Sequence, residues 1–553
     1  MTRDNRKYIF VVGGVISGVG KGITVSSISK ILQDRGLKVT AIKIDPYINT
    51  DAGTMNPTEH GEVFVLDDGD ETDQDMGNYE RFLDISLTRA NYMTTGRVYQ
   101  EVINHERNLD YGGKCVEVIP HIPLEIIRRI KEAGRGVRAD VVVIEVGGTV
   151  GEYQNILFME AARIMKIELP GQVFFTMVSY VPIPSKVGEM KTKPTQHAVR
   201  TLNASGLQPD IIIARSERPL DEKRKEKLSF FCNISKEHII SAPDVDSIYD
   251  VPLNFEKERL GTVLCHLLHI KNGKRISPRF AEWKKFVRKV HRARAEVKIA
   301  VIGKYFDTGD FILSDSYISV IEAIKHSAYH LNRRPLLSWL NALDFEKSPD
   351  RLKELSQYDG IIIPGGFGGR GIEGKIAAIR YAREHKIPYF GLCYGMQLAI
   401  VEYARNVLKL KDAHTTEINP KTSHPVIAVM ESQKQNLINA RYGGSMRLGA
   451  YLAVLKDKTI ARIAYNTRTI SERHRHRYEV NPEYIERLEK AGLVFSGRSP
   501  DGKLMEIAEL PRTEHPFFLG TQFHPEFKSH PLAPHPLFSA FIKSAIIKTK
   551  KKK

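Results

Sequence analysis

Cys393 stands in Gly391-Leu392-Cys393-Tyr394-Gly395, and Gln522-Phe523-His524-Pro525-Glu526 follows far downstream. Gly-x-Cys-x-Gly is the pattern of a nucleophile elbow: flanking glycines let a strand turn sharply into a helix and leave the thiol at the bend. The predicted strand covers residues 387–392 and the predicted helix 396–404, and a helix N-terminus beside the sulfur favours the thiolate. His524 and Glu526 have the spacing of two residues along one strand edge, and can supply a base and the carboxylate that orients it. After a predicted strand at 360–363, Pro364-Gly365-Gly366-Phe367-Gly368 can offer a backbone N–H as an oxyanion donor beside that of Tyr394. An isolated cysteine is more often a small buried apolar residue. The matched His524 and Glu526 count against that alternative, and the set alone announces hydrolysis of an amide or ester.

A second chemistry is written near the start. Gly13-Gly14-Val15-Ile16-Ser17-Gly18-Val19-Gly20-Lys21-Gly22 follows a predicted strand and precedes a helical stretch, where backbone N–H groups can cradle phosphates. The glycine spacing departs from a Walker A motif, and Gly22 replaces the Ser or Thr that would reach magnesium. Carboxylates must then hold a metal. Glu71-Thr72-Asp73-Gln74-Asp75 offers some, with a solvated loop as its alternative. Glu145, at the C-terminal end of the apolar run 141–146, offers another where open parallel sheets bind ligands. Lys191-Thr192-Lys193-Pro194-Thr195-Gln196 adds ammonium and hydroxyl donors suited to a triphosphate, although short basic surface loops are common.

The elements that must position these groups follow from 553 residues, too many for one core. Short apolar runs alternate with helical stretches over residues 1–270, with strands predicted at 8–12, 38–44, 141–146, 172–178 and 210–214. A second alternation runs over 297–546, with strands at 297–303, 360–363, 388–392 and 517–523. The fold class is α/β, as two doubly wound domains: an N-terminal P-loop-like parallel sheet and a C-terminal sheet around the elbow. Residues 271–296, opening with Lys271-Asn272-Gly273-Lys274, read as a basic linker, and 547–553 as a solvated basic tail. Cys115, Cys232 and Cys265 read as small buried residues, and four scattered cysteines suit a reducing cytoplasm. No apolar run is long enough to span a bilayer, so no membrane role is expected. The net charge of +17 comes without a nucleic-acid-binding motif, and polyanionic small substrates use the same charge.

Taken in order, the glycine loop after Tyr8-Ile9-Phe10-Val11, Asp45-Pro46-Tyr47-Ile48-Asn49, His60-Gly61-Glu62-Val63-Phe64-Val65, Gly147-Gly148-Thr149-Val150-Gly151 and the Lys191 to Gln196 run closely resemble the CTP synthase family. The likeness continues through 298–304, the Pro364 to Gly368 run and Glu472-Arg473-His474-Arg475-His476-Arg477-Tyr478-Glu479-Val480-Asn481, ending near Ile546. It implies an N-terminal amidoligase that uses ATP to phosphorylate O4 of UTP before ammonia displaces the phosphate, giving CTP. It further implies that Gly18, Val19, Gly20, Lys21, Gly22, Asp75, Asp244 and Val245 contact ATP, and that Asp75 and Glu145 hold Mg²⁺. Ser17, Lys43, Lys191, Thr192, Lys193, Pro194, Thr195, Gln196 and Lys227 match positions for UTP or CTP. Glu152, Tyr153 and Gln154 stand there in place of the family's usual Asp-Ile-Glu run, and Glu117 replaces a usual glutamine. Exchanging acid and amide changes which base or ribose groups can be hydrogen-bonded, which bears on CTP feedback and affinity.

The C-terminal residues resemble class I glutamine amidotransferases. That likeness implies attack by Cys393 on the glutamine carboxamide, proton transfer by His524 and orientation of His524 by Glu526. Gly366, Leu392, Tyr394, Gly395, Met396, Gln397, Glu417 and Arg477 match glutamine-binding positions. A GTP activator, CTP inhibition, an internal ammonia passage and a homotetramer are also implied. His474 and His476 could be read as metal ligands, but Arg473, Arg475 and Arg477 beside them favour core salt bridges or carboxylate recognition. Two other readings compete: a cobyrinate-type amide synthase, which leaves Lys191 to Gln196 unexplained, and a nucleotide-binding assembly protein without catalysis, which leaves Cys393, His524, Glu526, Lys21, Asp75 and Glu145 unexplained.

Overall fold

Lys7–Gly14, Val39–Asp45 and Val141–Val146 are rich in Val and Ile, and such runs, apolar on both faces, form the inner strands of a parallel sheet. The computed structural model describes residues 5–186, 188–270, 277–303, 314–439 and 443–552. It resolves into two compact units, Met1–Asp51 with Asp75–Val287, and Ala52–Gln74 with Arg288–Lys553.

In the first unit seven parallel strands lie in the order Tyr92–Thr94, Val39–Asp45, Val141–Val146, Lys7–Gly14, Val173–Tyr180, Ile211–Ser216, Ile239–Pro243. Phe10 stands opposite Ile144 on one side and Phe175 on the other, which fixes the register of the central three strands. The chain winds away from Lys7–Gly14 in both directions, so the crevice at the ends of these strands is where a ligand fits. Gly14, Asp45 and Glu145 all end there or one residue short of it.

The second unit has a nine-stranded sheet in the order Arg334–Asn341, Glu296–Gly303, Gly360–Ile363, Tyr389–Leu392, Phe518–Thr521, Met505–Glu509, Val494–Arg498, Arg447–Leu455, Thr469–His476. The first five are parallel, and the remaining pairings are antiparallel. The helix after the elbow runs Tyr394–Asn406, starting earlier than the apolar pattern suggested.

Several boundaries differ from the sequence reading. Residues 52–74 belong to the second unit, as a hairpin with strands Phe64–Val65 and Glu71–Thr72. Arg473 Nε donates to Asp67 Oδ1 at 2.6 Å and Arg475 Nε to Glu71 Oε1 at 2.8 Å. Gly449, at φ 93°, leaves the room that Gly69 fills: a Cβ on it would lie 2.7 Å from Gly69 N. Within the expected linker, 271–276 lie outside the described residues, while Pro278–Arg292 is a helix. Its Phe280, Trp283, Phe286 and Val287 recur at helical spacing and are buried, and Trp283 Nε1 donates to Tyr249 O at 3.0 Å. Of the expected solvated tail, residues 547–552 continue the helix Pro536–Lys552, and Lys548 Nζ donates to Tyr358 O at 2.7 Å. Cys232 and Cys265 are buried as expected, but Cys115 is exposed. Among the described residues no helix is long and apolar enough to cross a membrane.

Candidate functional site

In the first unit the glycine loop caps the helix Lys21–Asp34. Gly18 and Gly20 take φ of 68° and 91°, a region open to glycine at no steric cost. Lys21 is buried and its Nζ donates to Gly148 O at 2.8 Å. A Cβ on Gly13 would lie 2.9 Å from that Nζ, so Gly13 is bare where the ammonium passes. Burial lowers the Lys21 pKa, and Glu145 and Asp75 counter it.

Gly22 explains the departure from a Walker A loop. A Cβ there would overlap the Asp75 carboxylate, which therefore occupies the space of the missing hydroxyl residue. Asp75 Oδ2 and Glu145 Oε1 accept from Lys43 Nζ at 2.6 and 2.9 Å, and Tyr79 donates its hydroxyl to Glu145. Burial raises Glu145 above the usual carboxylate range. Burial would raise Asp75 too, but Lys43 holds it below that range. Two hard-oxygen donors facing one ammonium fit a divalent cation that takes its other ligands from phosphate and water.

In the second unit, Cys393 has φ 49° and ψ −99°, a strained bend between strand and helix. A Cβ on Gly391 would lie 2.6 Å from the carbonyl carbon of Gly395, and one on Gly395 would overlap Ile363 O. Both glycines are therefore steric requirements of the elbow. Gly365 is equally constrained, with His524 Cε1 2.7 Å from a Cβ placed on it. His524 Nδ1 and Glu526 Oε1 are 2.7 Å apart. The two lie not on a strand edge, as their spacing suggested, but just before and within a 3₁₀ turn, Pro525–Lys528, the strand having ended at Thr521. Burial opposes charge on His524, but Glu526 and then Cys393 outweigh it and lift the imidazole to about 10. Cys393, His524 and Glu526 line a cleft of about 590 Å³ together with Gly366, Glu417 and Arg477. Glu417 Oε1 accepts from Gly368 N at 2.8 Å, and Arg477 Nη1 donates to Gln433 Oε1 at 2.9 Å.

Residues 7–270 match the family model for the CTP synthase N-terminus, and 312–544 that for class I glutamine amidotransferases. A CTP synthase of Halalkalibacterium halodurans is 48% identical over 98% of this chain and 99% of its own. One from Pyrococcus furiosus is 52% identical over 98% of both. The chain belongs to the CTP synthase family. A solved structure of the CTPS glutaminase domain from Trypanosoma brucei, with bound acivicin, is 36% identical and covers 45% of this chain and 94% of its own, with a TM-score of 0.42. CTP synthases convert UTP to CTP with glutamine as nitrogen donor, and this chain is such a ligase.

Against that family background, the expected glutamine residues separate into two groups. Gly366, Glu417 and Arg477 line the cleft, whereas Leu392, Tyr394, Gly395, Met396 and Gln397 are buried at the elbow and are not among its lining side chains. Gly53, Met55, Tyr317, Phe367 and Tyr478 line it without having been singled out, as does Arg475, one of the arginines expected in core salt bridges or carboxylate recognition. Phe367 lay inside a glycine run already marked as an oxyanion loop; Gly53 and Met55 had no local signal. In the first unit Lys191 pairs with Glu189 at 2.8 Å, Lys193 and Lys227 are exposed, Ser179 Oγ donates to the buried Thr195, and Gln196 Nε2 reaches Thr192 Oγ1. Pro194 sits in the first turn of the helix Lys193–Ala204 and Ser17 is exposed at the glycine loop. Asp244 pairs with Arg215 at 2.8 Å, beside the half-buried Val245. Glu152 turns back to accept from Thr149 N and Oγ1 at 2.9 and 2.6 Å, leaving Tyr153 and Gln154 exposed; Glu117 is exposed as well. His474 and His476 are core residues: His474 Nε2 and Glu506 Oε2 are 2.7 Å apart, and His476 Nδ1 and Glu479 Oε1 3.5 Å. Burial depresses both imidazoles.

Proposed function

We propose that the chain makes CTP by coupling a Cys-His-Glu glutaminase to an ATP-driven amination of phosphorylated UTP. The full-length match to CTP synthases carries this reading. Cys393 passes its thiol proton to His524 and its Sγ attacks the side-chain carbonyl carbon of glutamine; His524 gives that proton to the departing ammonia, and a thioester remains. Water, giving its proton to His524, then releases glutamate and the thiol. Glu526, 2.7 Å from Nδ1, orients the imidazole and favours its charged form. The N–H groups after Pro364 and at Tyr394 are suited to the developing oxyanion. Arg477 and Glu417 are suited to the carboxylate and ammonium of a zwitterionic amino acid.

In the other half, O4 of UTP attacks the γ-phosphorus of ATP and ADP leaves. That phosphorylation converts a poor amide-like electrophile into one with a good leaving group; ammonia then adds at C4, phosphate departs and the added nitrogen loses one proton. Gly18 to Gly22 would hold ATP phosphates, with Asp244 and Val245 beside the adenine. Lys43, Ser17, Glu152 to Gln154, Lys191 to Gln196 and Lys227 would hold the pyrimidine nucleotide. Asp75 and Glu145 would hold Mg²⁺, whose charge offsets that of the transferring phosphoryl group when bound. GTP activation, CTP feedback and a homotetramer complete the proposal by family likeness.

Purified protein with UTP, ATP, Mg²⁺ and glutamine should form CTP, and Cys393→Ala should form it only when ammonia is added. Absence of CTP with ammonia present would refute the synthase reading. Glutamine use by Cys393→Ala would remove the role given to the thiol.

A further inference from the structure

Gln522 is fully buried one residue beyond the strand Phe518–Thr521, and its Nε2 donates to Cys393 Sγ at 3.5 Å. Which end of its amide faces the sulfur is fixed by a carbonyl two links away. Gln397 Nε2 donates to the backbone carbonyl of Tyr478 at 3.0 Å, and a carbonyl oxygen can only accept. The same NH₂ group lies 3.2 Å from the Gln522 side chain, so it must meet Oε1 there. The NH₂ of Gln522 is left pointing at the sulfur, an assignment made by the network rather than by either amide alone. The backbone is tied as well, with Gln522 N donating to Glu506 O at 2.8 Å.

Resting on Cys393 being the glutaminase nucleophile, we infer that Gln522 is a positioning residue for its thiolate, supplying a fixed N–H donor to Sγ, and that Gln397 acts through Gln522 by setting its amide. A charged acceptor strengthens such a bond, so the donor favours the thiolate over the thioester sulfur. It stabilises the sulfur before attack and again when thioester hydrolysis returns the charge. Gln397 lies in the elbow helix, which links the position matched to glutamine binding with the sulfur itself and not with the cleft.

The test compares Gln522→Met and Gln522→Glu with the wild type and Cys393→Ala, reading glutamine kcat/KM and ammonia-dependent CTP formation across pH. Loss of one hydrogen bond to a charged group should lower kcat/KM for glutamine by about tenfold or more in Gln522→Met at every pH. In Gln522→Glu the carboxylate repels the thiolate, while the protonated acid can donate its O–H, so activity relative to wild type should recover as pH falls. Ammonia-dependent synthesis should persist in both. Wild-type kcat/KM for glutamine in Gln522→Met, or a pH-independent loss in Gln522→Glu, would overturn the inference. If Gln522→Met fails to fold, as judged by circular dichroism, the pH dependence of Gln522→Glu decides. Glutamine hydrolysis surviving in Cys393→Ala would instead bring down the nucleophile assignment on which the inference stands.

Discussion

Gly22 shows how a single missing side chain can carry function. In a Walker A loop that position reaches the metal through a hydroxyl; here the loop is bare and Asp75 fills the space from another segment. The glycine thus serves a carboxylate, not only the backbone. Gly22→Ser should displace Asp75 by about the size of a hydroxymethyl group, and misplacements near 1 Å cost about a hundredfold in rate. CTP formation with ammonia should fall by that order, while hydrolysis of glutamine continues. Steady-state assays of the two half-reactions check it, and a Gly22→Ser enzyme that makes CTP from ammonia at the wild-type rate would mean that Asp75 is not held there for chemistry. The buried histidines make a related point. Burial depresses His474 and His476 in the core, whereas His524, also buried, is raised because a carboxylate and a cysteine lie against it. Sequence alone places all three in motifs; only their neighbours separate the proposed base from scaffold.

At the scale of elements, the elbow was legible because everything that defines it is local. Gly391, Cys393 and Gly395 lie within five residues, and the clashes a side chain would meet come from the turn itself and the adjoining strand. The glycine loop and its helix were legible for the same reason. The home of residues 52–74 was not, because its anchors are ion pairs with partners 406 and 404 residues away, and no periodicity records such a pairing. The helix Pro278–Arg292 was hidden differently: its many basic residues masked a stripe of four buried apolar ones. The hairpin yields a prediction. Arg473 is almost wholly buried, its Nε bonded to Asp67 and its Nη1 to Val65 O at 3.1 Å. Arg473→Met keeps the apolar volume and removes both bonds. Hydrogen exchange at Leu66, bonded to Asp70 O, and at Ala52, bonded to Glu71 O, should accelerate by about tenfold or more, with exchange in the strand Tyr389–Leu392 unchanged. Unchanged exchange at Leu66 and Ala52 would mean that the arginine does not anchor the hairpin.

At the scale of the molecule, the excess of 82 Lys and Arg over 65 Asp and Glu sets a net charge of +17 that is not used uniformly. Many basic side chains are spent on pairs, such as Arg383 with Glu402 and Arg447 with Glu506 in the core. The groups suited to nucleotides, Lys21, Lys43, Lys191, Lys193 and Lys227, belong to the first unit. The substrate proposed for the second unit's cleft is a zwitterion, for which a net field gives little gain. Salt should therefore divide the substrates. Raising monovalent salt from about 50 to about 300 mM shortens the screening length from roughly 14 to 6 Å. KM for ATP and UTP should rise several-fold, because polyanions lose long-range attraction to the whole positive surface as well as local pairing. KM for glutamine should stay within about twofold if, as proposed, Arg477 and Glu417 bind it by short-range contacts. The measurement is synthesis with varied nucleotide at saturating ammonia, set beside hydrolysis with varied glutamine. Equal salt effects on all three substrates would mean that the surplus charge does not act on nucleotides. A nucleotide-only effect would tie the basic composition of the chain to the chemistry of its first unit.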